Sequence, residues 1–185
     1  MALQRSRHRF TSAEFERMAT AGVFGEDDRL ELLDGEIVEM SPIGRRHVAC
    51  VDRLAERLFQ IAHGAAIVRV QSPTPLGEHV TPQPDVALLR RRADYYADAP
   101  SSAADVLLLV EVAERSVEYD RAKWPQYARS GVPEAWLVDP TRDAIEVHRD
   151  PAGDNYRTVL LMHRGDRINC LAFPEETVVV AEILG

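Results

Sequence analysis

Two carboxylates beside apolar runs, and a lysine after them, are the residues of this chain that could do chemistry together. Asp85 comes just before the apolar run Val86–Leu89, in PQPDVALL. Glu111 follows the apolar run Val106–Val110, in VLLLVEVAERSVEYDRAK. Apolar runs of this kind, rich in Val and Leu, read as strands buried on both faces. A carboxylate beside such a strand is unfavourable unless something there uses its charge. Taken singly, Asp85 reads as a turn residue after Pro84, and Glu111 as an arginine partner at a strand end. Taken together on adjacent strands, the two carboxylates repel unless a cation or a proton lies between them. A hard divalent ion meets that need, and magnesium keeps waters that can become a nucleophile. Lys123 follows in a segment that reads as a helix starting just after Glu111. By default a helix lysine is solvated. One or two turns in, this one can reach back over the metal site, where an ammonium orients water or stabilises charge building on phosphate. Two strand carboxylates and a nearby lysine are the parts of a magnesium-dependent phosphodiesterase.

The elements that must hold these residues follow from the chain in order. Thr11-Ser-Ala-Glu14 is a capping box. It predicts a helix to about Ala21, stopped by Gly22, with Phe15, Met18 and Ala19 on one face. Asp34-Gly35 predicts a hairpin of strands at about Leu30–Leu33 and Glu36–Met40. After Ser41-Pro42, Gly44 opens a helix. In it Val48, Val51, Leu54, Ala55, Leu58, Phe59 and Ala62 recur at helical spacing as far as His63-Gly64. Ala65–Gln71 is β-prone, and Pro73, Pro75, Pro82 and Pro84 bound an irregular stretch leading into Asp85. The polar segment 90–104 reads as a surface loop or short helix. Ser116 caps a predicted helix to Ser130-Gly131, with Pro125 giving a kink or a late start. Strands are predicted over Glu134–Asp139, Asp143–Arg149, Tyr156–Met162 and Val178–Val180. Tyr127 reads as core, and Trp124 and Trp136 as core or interface, since no aromatic array suggests base stacking. This order of elements argues for an α/β sandwich around a mixed sheet.

At 185 residues, 45% hydrophobic and 28% charged, the chain reads as one domain, 1–185, able to bury a substantial core. No apolar run approaches the roughly eighteen residues of a membrane span. The basic start MALQRSRHRF has no long apolar segment after it, so no secretory signal is expected. Cys50 and Cys170 have no metal spacing, and so few cysteines point to a reduced cytoplasm. The net charge of -8 opposes a chain-wide nucleic-acid surface, because phosphate neutralisation drives nonspecific binding. Basic clusters at Arg5–Arg9, Arg45–Arg46–His47 and Arg90–Arg92 are local exceptions, read by default as solvated surface.

Nearly the whole chain resembles the Uma2 family of restriction-endonuclease-like proteins, within the PD-(D/E)xK nuclease superfamily. The resemblance is carried by RLELLDGEIVEMSP with His47 after it, by PQPDVALL, by LLVEVAERSVEYDRAK and by YARSGVPEAWLVDP. It implies a restriction-endonuclease-like core, a divalent metal and phosphodiester hydrolysis. Asp85 matches the first acidic residue of the superfamily pattern and Glu111 the second. The superfamily lysine would stand two residues after the second acid, where this chain has Ala113. Proteins of the Uma2 type carry a lysine on the following helix instead, and Lys123 fits that place. Glu31 stands where such proteins have an acidic residue and would reach the metal through water; otherwise it is an edge-strand surface glutamate. His47 would contact phosphate or assist with a proton; otherwise it caps or packs at a helix start.

The expected fold is α/β: a restriction-endonuclease-like core, a mixed central sheet flanked by helices, and an N-terminal β-hairpin. The expected function is a metal-dependent nuclease acting on DNA. Asp85 and Glu111 hold Mg2+ (or Mn2+), and Lys123, Glu31 and His47 complete the catalytic set. A cytoplasmic homodimer without membrane contact is expected, since cutting both strands of a duplex is simplest with two sites and two-fold oligomers are commonest. The alternative is a catalytically weak or inactive module that binds nucleic acid or assembles while keeping the fold. The acidic net charge and Ala113 favour that alternative; Asp85, Glu111 and Lys123 favour the enzyme.

Overall fold

Six strands form the central sheet of the computed structural model: β3 (Ala66–Val70), β4 (Val86–Arg90), β5 (Val106–Val112), β6 (Glu134–Asp139), β7 (Ala144–Ala152) and β8 (Asn155–His163), hydrogen-bonded in that order. The structure describes residues 7–25, 27–114 and 116–185; Arg5, at the head of the basic N-terminal run, lies outside them. β5 and β6 pair parallel, and the other neighbours pair antiparallel. A parallel pair needs a crossover connection, and this crossover is the segment that carries Lys123. The expected α/β class with a mixed sheet flanked by helices is what the chain forms.

β5 and β6 read as continuous apolar runs because both faces of the sheet are covered. On one face Val86, Leu88, Leu108, Val110 and Val138 pack with α2 (Arg45–Ala62) and α5 (Val180–Leu184). On the other, Ala87, Leu89, Leu109 and Leu137 pack with Trp124, Tyr127 and Ala128 of α4 (Trp124–Arg129). α1 (Ser12–Thr20) starts from the reciprocal Thr11–Glu14 capping box that the sequence predicts, although Ala19 is exposed. The hairpin of β1 (Leu30–Leu33) and β2 (Glu36–Glu39) turns through Asp34 (φ 48) and Gly35 (φ 79). These are the left-handed conformations that a two-residue hairpin turn demands. Reciprocal backbone bonds between Leu32 and Thr81 tie the hairpin to the loop before β4.

Several expectations need correction. α2 buries His47, Cys50, Val51, Leu54, Leu58, Ile61 and Ala62, whereas Val48 and Phe59 are exposed. The buried stripe follows the 3.6-residue period from His47 and leaves those two on its flanks. The single helix expected from Ser116 is two: α3 (Val117–Arg121) and α4, with Ala122 and Lys123 between them. Pro125 sits in the first turn of α4, where its missing N–H breaks no bond. Ser116 does not cap α3; its hydroxyl bonds Asp120 instead. Val180 ends no strand but begins α5, which follows β10 (Phe173–Val179) directly. β9 (Arg167–Cys170), paired with β10, went unread because its four residues are too short to show a period. Cys50 and Cys170 are both free and buried. Among the described residues no helix is long and apolar enough to cross a membrane.

Candidate active site

Val86 faces Val110 across the β4–β5 ladder, and the next step of that antiparallel register sets Asp85 opposite Glu111. Glu111 does not end its strand: β5 continues to Val112, which pairs with Val138. Both carboxylates are buried, at 5% and 2% exposure, and both line one cavity of about 450 Å3. Arg29, Arg45, Arg46, His47, Tyr119 and Asp120 also line it. The Arg45–Arg46–His47 cluster is therefore not simply solvated surface, because the N-terminus of α2 opens onto the cavity.

Asp85 is held from three sides. His47 Nε2 lies 2.9 Å from its Oδ1, the Gln71 amide donates to the same oxygen at 3.1 Å, and the Val112 N–H donates to Oδ2 at 2.9 Å. Burial alone would push this carboxyl up, but the His47 bond and charge, the Val112 N–H and Gln71 outweigh it and hold it below its usual range. Burial likewise works against a charged His47, and the Asp85 bond and charge reverse that, raising it. His47 thus neither caps α2 nor merely packs. Nothing in AAIVRVQ marks Gln71 as a site residue; it directly follows β3, with φ 45.

Glu111 is in a different electrostatic position. Its Oε1 accepts from the Tyr127 hydroxyl at 2.5 Å and from Lys123 Nζ at 3.2 Å. Burial drives its pKa up to about 8; Lys123 opposes the rise, and Asp120, Asp85 and Glu31 add to it. Burial also raises Asp120, against the pull of Lys123. Burial is the leading cause of both rises, and neighbouring carboxylates add to it.

Lys123 is fully buried, correcting the solvated default. Its ammonium is shared by Glu31 Oε1 at 3.0 Å, Glu111 Oε1 at 3.2 Å and Asp120 Oδ1 at 3.4 Å. Burial opposes its charge, but Glu111, Glu31 and Asp120 more than restore it and raise its pKa. Glu31 is also fully buried, not on a surface edge. The Leu32–Thr81 bridge presses its strand inward, where Glu31 Oε2 accepts the Gln83 N–H at 3.1 Å and Oε1 the Tyr119 hydroxyl. Tyr119 and Asp120 join the site beyond the residues singled out in the sequence, and Tyr127 serves it as well as the core. A signal existed: Asp120, Lys123 and Tyr127 lie three and four residues apart, a spacing that puts side chains on one helix face.

The donor set fits a hard divalent ion at Asp85 and Glu111. Among the described residues, Glu111 Oε2 receives no hydrogen bond and Asp85 Oδ2 receives only one. Each carboxylate therefore keeps acceptor capacity toward the cavity, in a charge environment that favours a cation. Among the described residues, no cluster of three or more His, Cys, Asp or Glu forms a protein cage for a metal.

A six-stranded mixed sheet with paired acids on neighbouring strands defines a restriction-endonuclease-like protein. The chain belongs to the Uma2 family, described as "Putative restriction endonuclease", whose model matches residues 12–181. A crystal structure of "a putative nuclease belonging to DUF820" from Anabaena variabilis is similar, with a TM-score of 0.73, 14% identity, and coverage of 95% of this chain and 97% of that chain. At that identity the likeness supports the fold alone. No curated protein matches the sequence.

Proposed function

We propose that this chain is a divalent-metal-dependent nuclease that hydrolyses phosphodiester bonds in DNA, with Asp85 and Glu111 as the residues that hold Mg2+ or Mn2+. The observation that carries the reading is the pair of buried carboxylates, opposite each other on β4 and β5, facing one cavity with arginines in its wall. A bound ion supplies an activated water and positive charge beside the scissile phosphate. The chain supplies the rest. His47, Gln71 and the Val112 N–H keep Asp85 ionised and fix its rotamer. Arg29, Arg45 and Arg46 give the strand's phosphates a cationic wall. Lys123, Tyr127 and Glu31 orient Glu111 from behind.

The same reading includes a homodimer in the cytoplasm, in which two such sites cut both strands of a duplex. Support comes from β8, which stands at one end of the sheet order and exposes Val159, Leu160 and Leu161.

The test is metal-dependent stabilisation and cleavage measured on one preparation. Mn2+ or Mg2+ is expected to stabilise the fold by mass action, about 2.7 kcal/mol at a hundredfold excess over Kd, and so to raise the melting temperature. The loaded protein is expected to cut plasmid DNA in preference to single-stranded DNA or RNA. Glu111→Gln and Asp85→Asn are each expected to lose both responses. Nucleic-acid binding with neither response would replace this reading by the inactive binding module.

A further inference from the structure

The acids of the site are recessed, and the wall above them is not purely cationic. Asp85 and Glu111 are 5% and 2% exposed, so they lie at the floor of the cavity. Arg29, Arg45 and Arg46 stand in its wall, and between Arg29 and Arg45 in the chain come three apolar lining residues, Met40, Pro42 and Ile43. They belong to the loop that joins β2 to α2. Pro42 is exposed, and Ile43 is 41% exposed. A single apolar side chain at a surface is ordinary. Three together in the wall of a cavity otherwise rich in charge are not, because a phosphate offers them no favourable contact. The loop is also pinned. The Met40 N–H donates to the Arg29 carbonyl at 2.8 Å, the Arg29 guanidinium donates to the Ser41 carbonyl at 2.9 Å, and Pro42 fixes its own φ.

Phosphates run along the outside of a regular duplex, so one of them reaches acids at the floor of a cavity only if the backbone is drawn inward. An apolar side chain that enters the base stack does this, because it unstacks one step and kinks the duplex. We propose that Ile43, flanked by Met40 and Pro42, is a wedge of this kind, inserted into the base stack beside the scissile phosphate, so that the chain selects duplex DNA at steps that unstack readily. The inference rests on the nuclease reading above and deepens it by naming the substrate feature that the site selects. The division of labour follows from chemistry. The arginines hold phosphates, which carry no sequence information, and the wedge adds a preference through deformability. Pyrimidine–purine steps and mismatches are the places that open at least cost. Ile43 is on this account a positioning residue: it moves the strand and touches no reacting atom.

The experiment uses two short duplexes that differ only at one central step, one fully paired and one mismatched there, each with 2-aminopurine beside the step. Binding to the full-length chain is followed in EDTA by anisotropy and by 2-aminopurine fluorescence, which rises when the base unstacks. The parent is expected to bind the mismatched duplex about tenfold tighter and to raise the fluorescence of the paired one. Ile43→Ser is expected to keep the urea midpoint of the parent, to bind both duplexes alike and to leave the fluorescence unchanged. Ile43→Leu is expected to keep both the preference and the rise. A parent that lacks either one overturns the proposal, and so does Ile43→Ser that retains either one. If Ile43→Ser has a lowered midpoint, Ile43→Thr, which keeps the branched shape, takes its place with the same outcomes. Binding of neither duplex by the parent, in EDTA or with Ca2+ added, is a different failure: it overturns the nucleic-acid reading itself and this inference with it.

Discussion

At Glu111, burial and three neighbouring carboxylates outweigh one ammonium, and the result is a measurable pH dependence. Its pKa rises from an ordinary 4.5 to about 8 in the folded chain. A carboxyl raised by folding stabilises the fold in its protonated form. That contribution is fully present below the unfolded value and is lost as pH rises through the folded one. Asp85 has the opposite sign: it is lowered, so its contribution is present above its unfolded value and lost as pH falls through the folded one. The metal-free chain is therefore expected to lose stability between about pH 5 and pH 8, and Glu111→Gln, always neutral, to flatten that fall. Urea melts of both proteins across the window check this; parallel curves would remove Glu111 as the cause. A second expectation concerns the pair. If Asp85 and Glu111 serve one ion, Asp85→Asn and Glu111→Gln each abolish the Mn2+-induced rise in melting temperature. The double variant should then cleave no worse than the weaker single, because effects on one shared ligand do not add. Additive losses in cleavage would mean separate roles.

The hairpin is the element on which the buried cluster depends most indirectly. Its turn puts Glu31 on a strand that the Leu32–Thr81 bridge draws against the sheet. Gly35 is indispensable to that turn for two reasons. Its φ of 79 suits glycine, and an added Cβ would lie 2.8 Å from Arg9 Cβ and 3.1 Å from Arg9 Cα. Gly35→Ala is expected to lower stability by about 1–3 kcal/mol. Because the same turn registers Glu31, the variant should also weaken Mn2+ binding, which calorimetry reads separately from the urea midpoint. An unchanged midpoint would show that the turn re-forms around alanine. The break between α3 and α4 works in a similar way. It stands where Asp120 from α3 pairs with the Lys123 ammonium and Tyr127 from α4 donates to Glu111.

For the whole molecule, the net charge of -8 and the arginine-lined cavity make opposed demands on a nucleic-acid partner. Among the described residues, the arginines that line the cavity are Arg29, Arg45 and Arg46, so few phosphates are neutralised there. The logarithm of affinity should then fall with the logarithm of salt concentration at a slope no steeper than about -3. Fluorescence anisotropy with a labelled duplex over a salt series measures it, and a much steeper slope would reveal a larger basic surface elsewhere. Assembly belongs to the same scale. If β8 joins two copies, light scattering should give twice the 20.7 kDa chain mass, and Leu160→Lys should return it to one. A parent that stays monomeric at micromolar concentration would leave β8 without that role.

The sequence by itself determined the elements with strong local signals. The Thr11–Glu14 box, the Asp34-Gly35 turn, the apolar strands β4 and β5 and the position of α2 are where local rules put them. Each of these signals lies within a few neighbouring residues or one period. The pairing of Asp85 with Glu111 was also legible, because two acids beside apolar runs are conspicuous. Tertiary structure alone decided what those acids touch. His47 and Gln71 reach Asp85 from 38 and 14 residues away, and Tyr119 reaches Glu31 from 88. No local pattern encodes contacts that exist only once α2, the hairpin and the crossover pack on the same sheet edge. The burial of Glu31 and Lys123 was hidden for the same reason. An edge-strand glutamate and a helix lysine are ordinarily solvated; here Glu31 and Lys123 are buried as partners, with Glu111 and Asp120 also pairing with the ammonium.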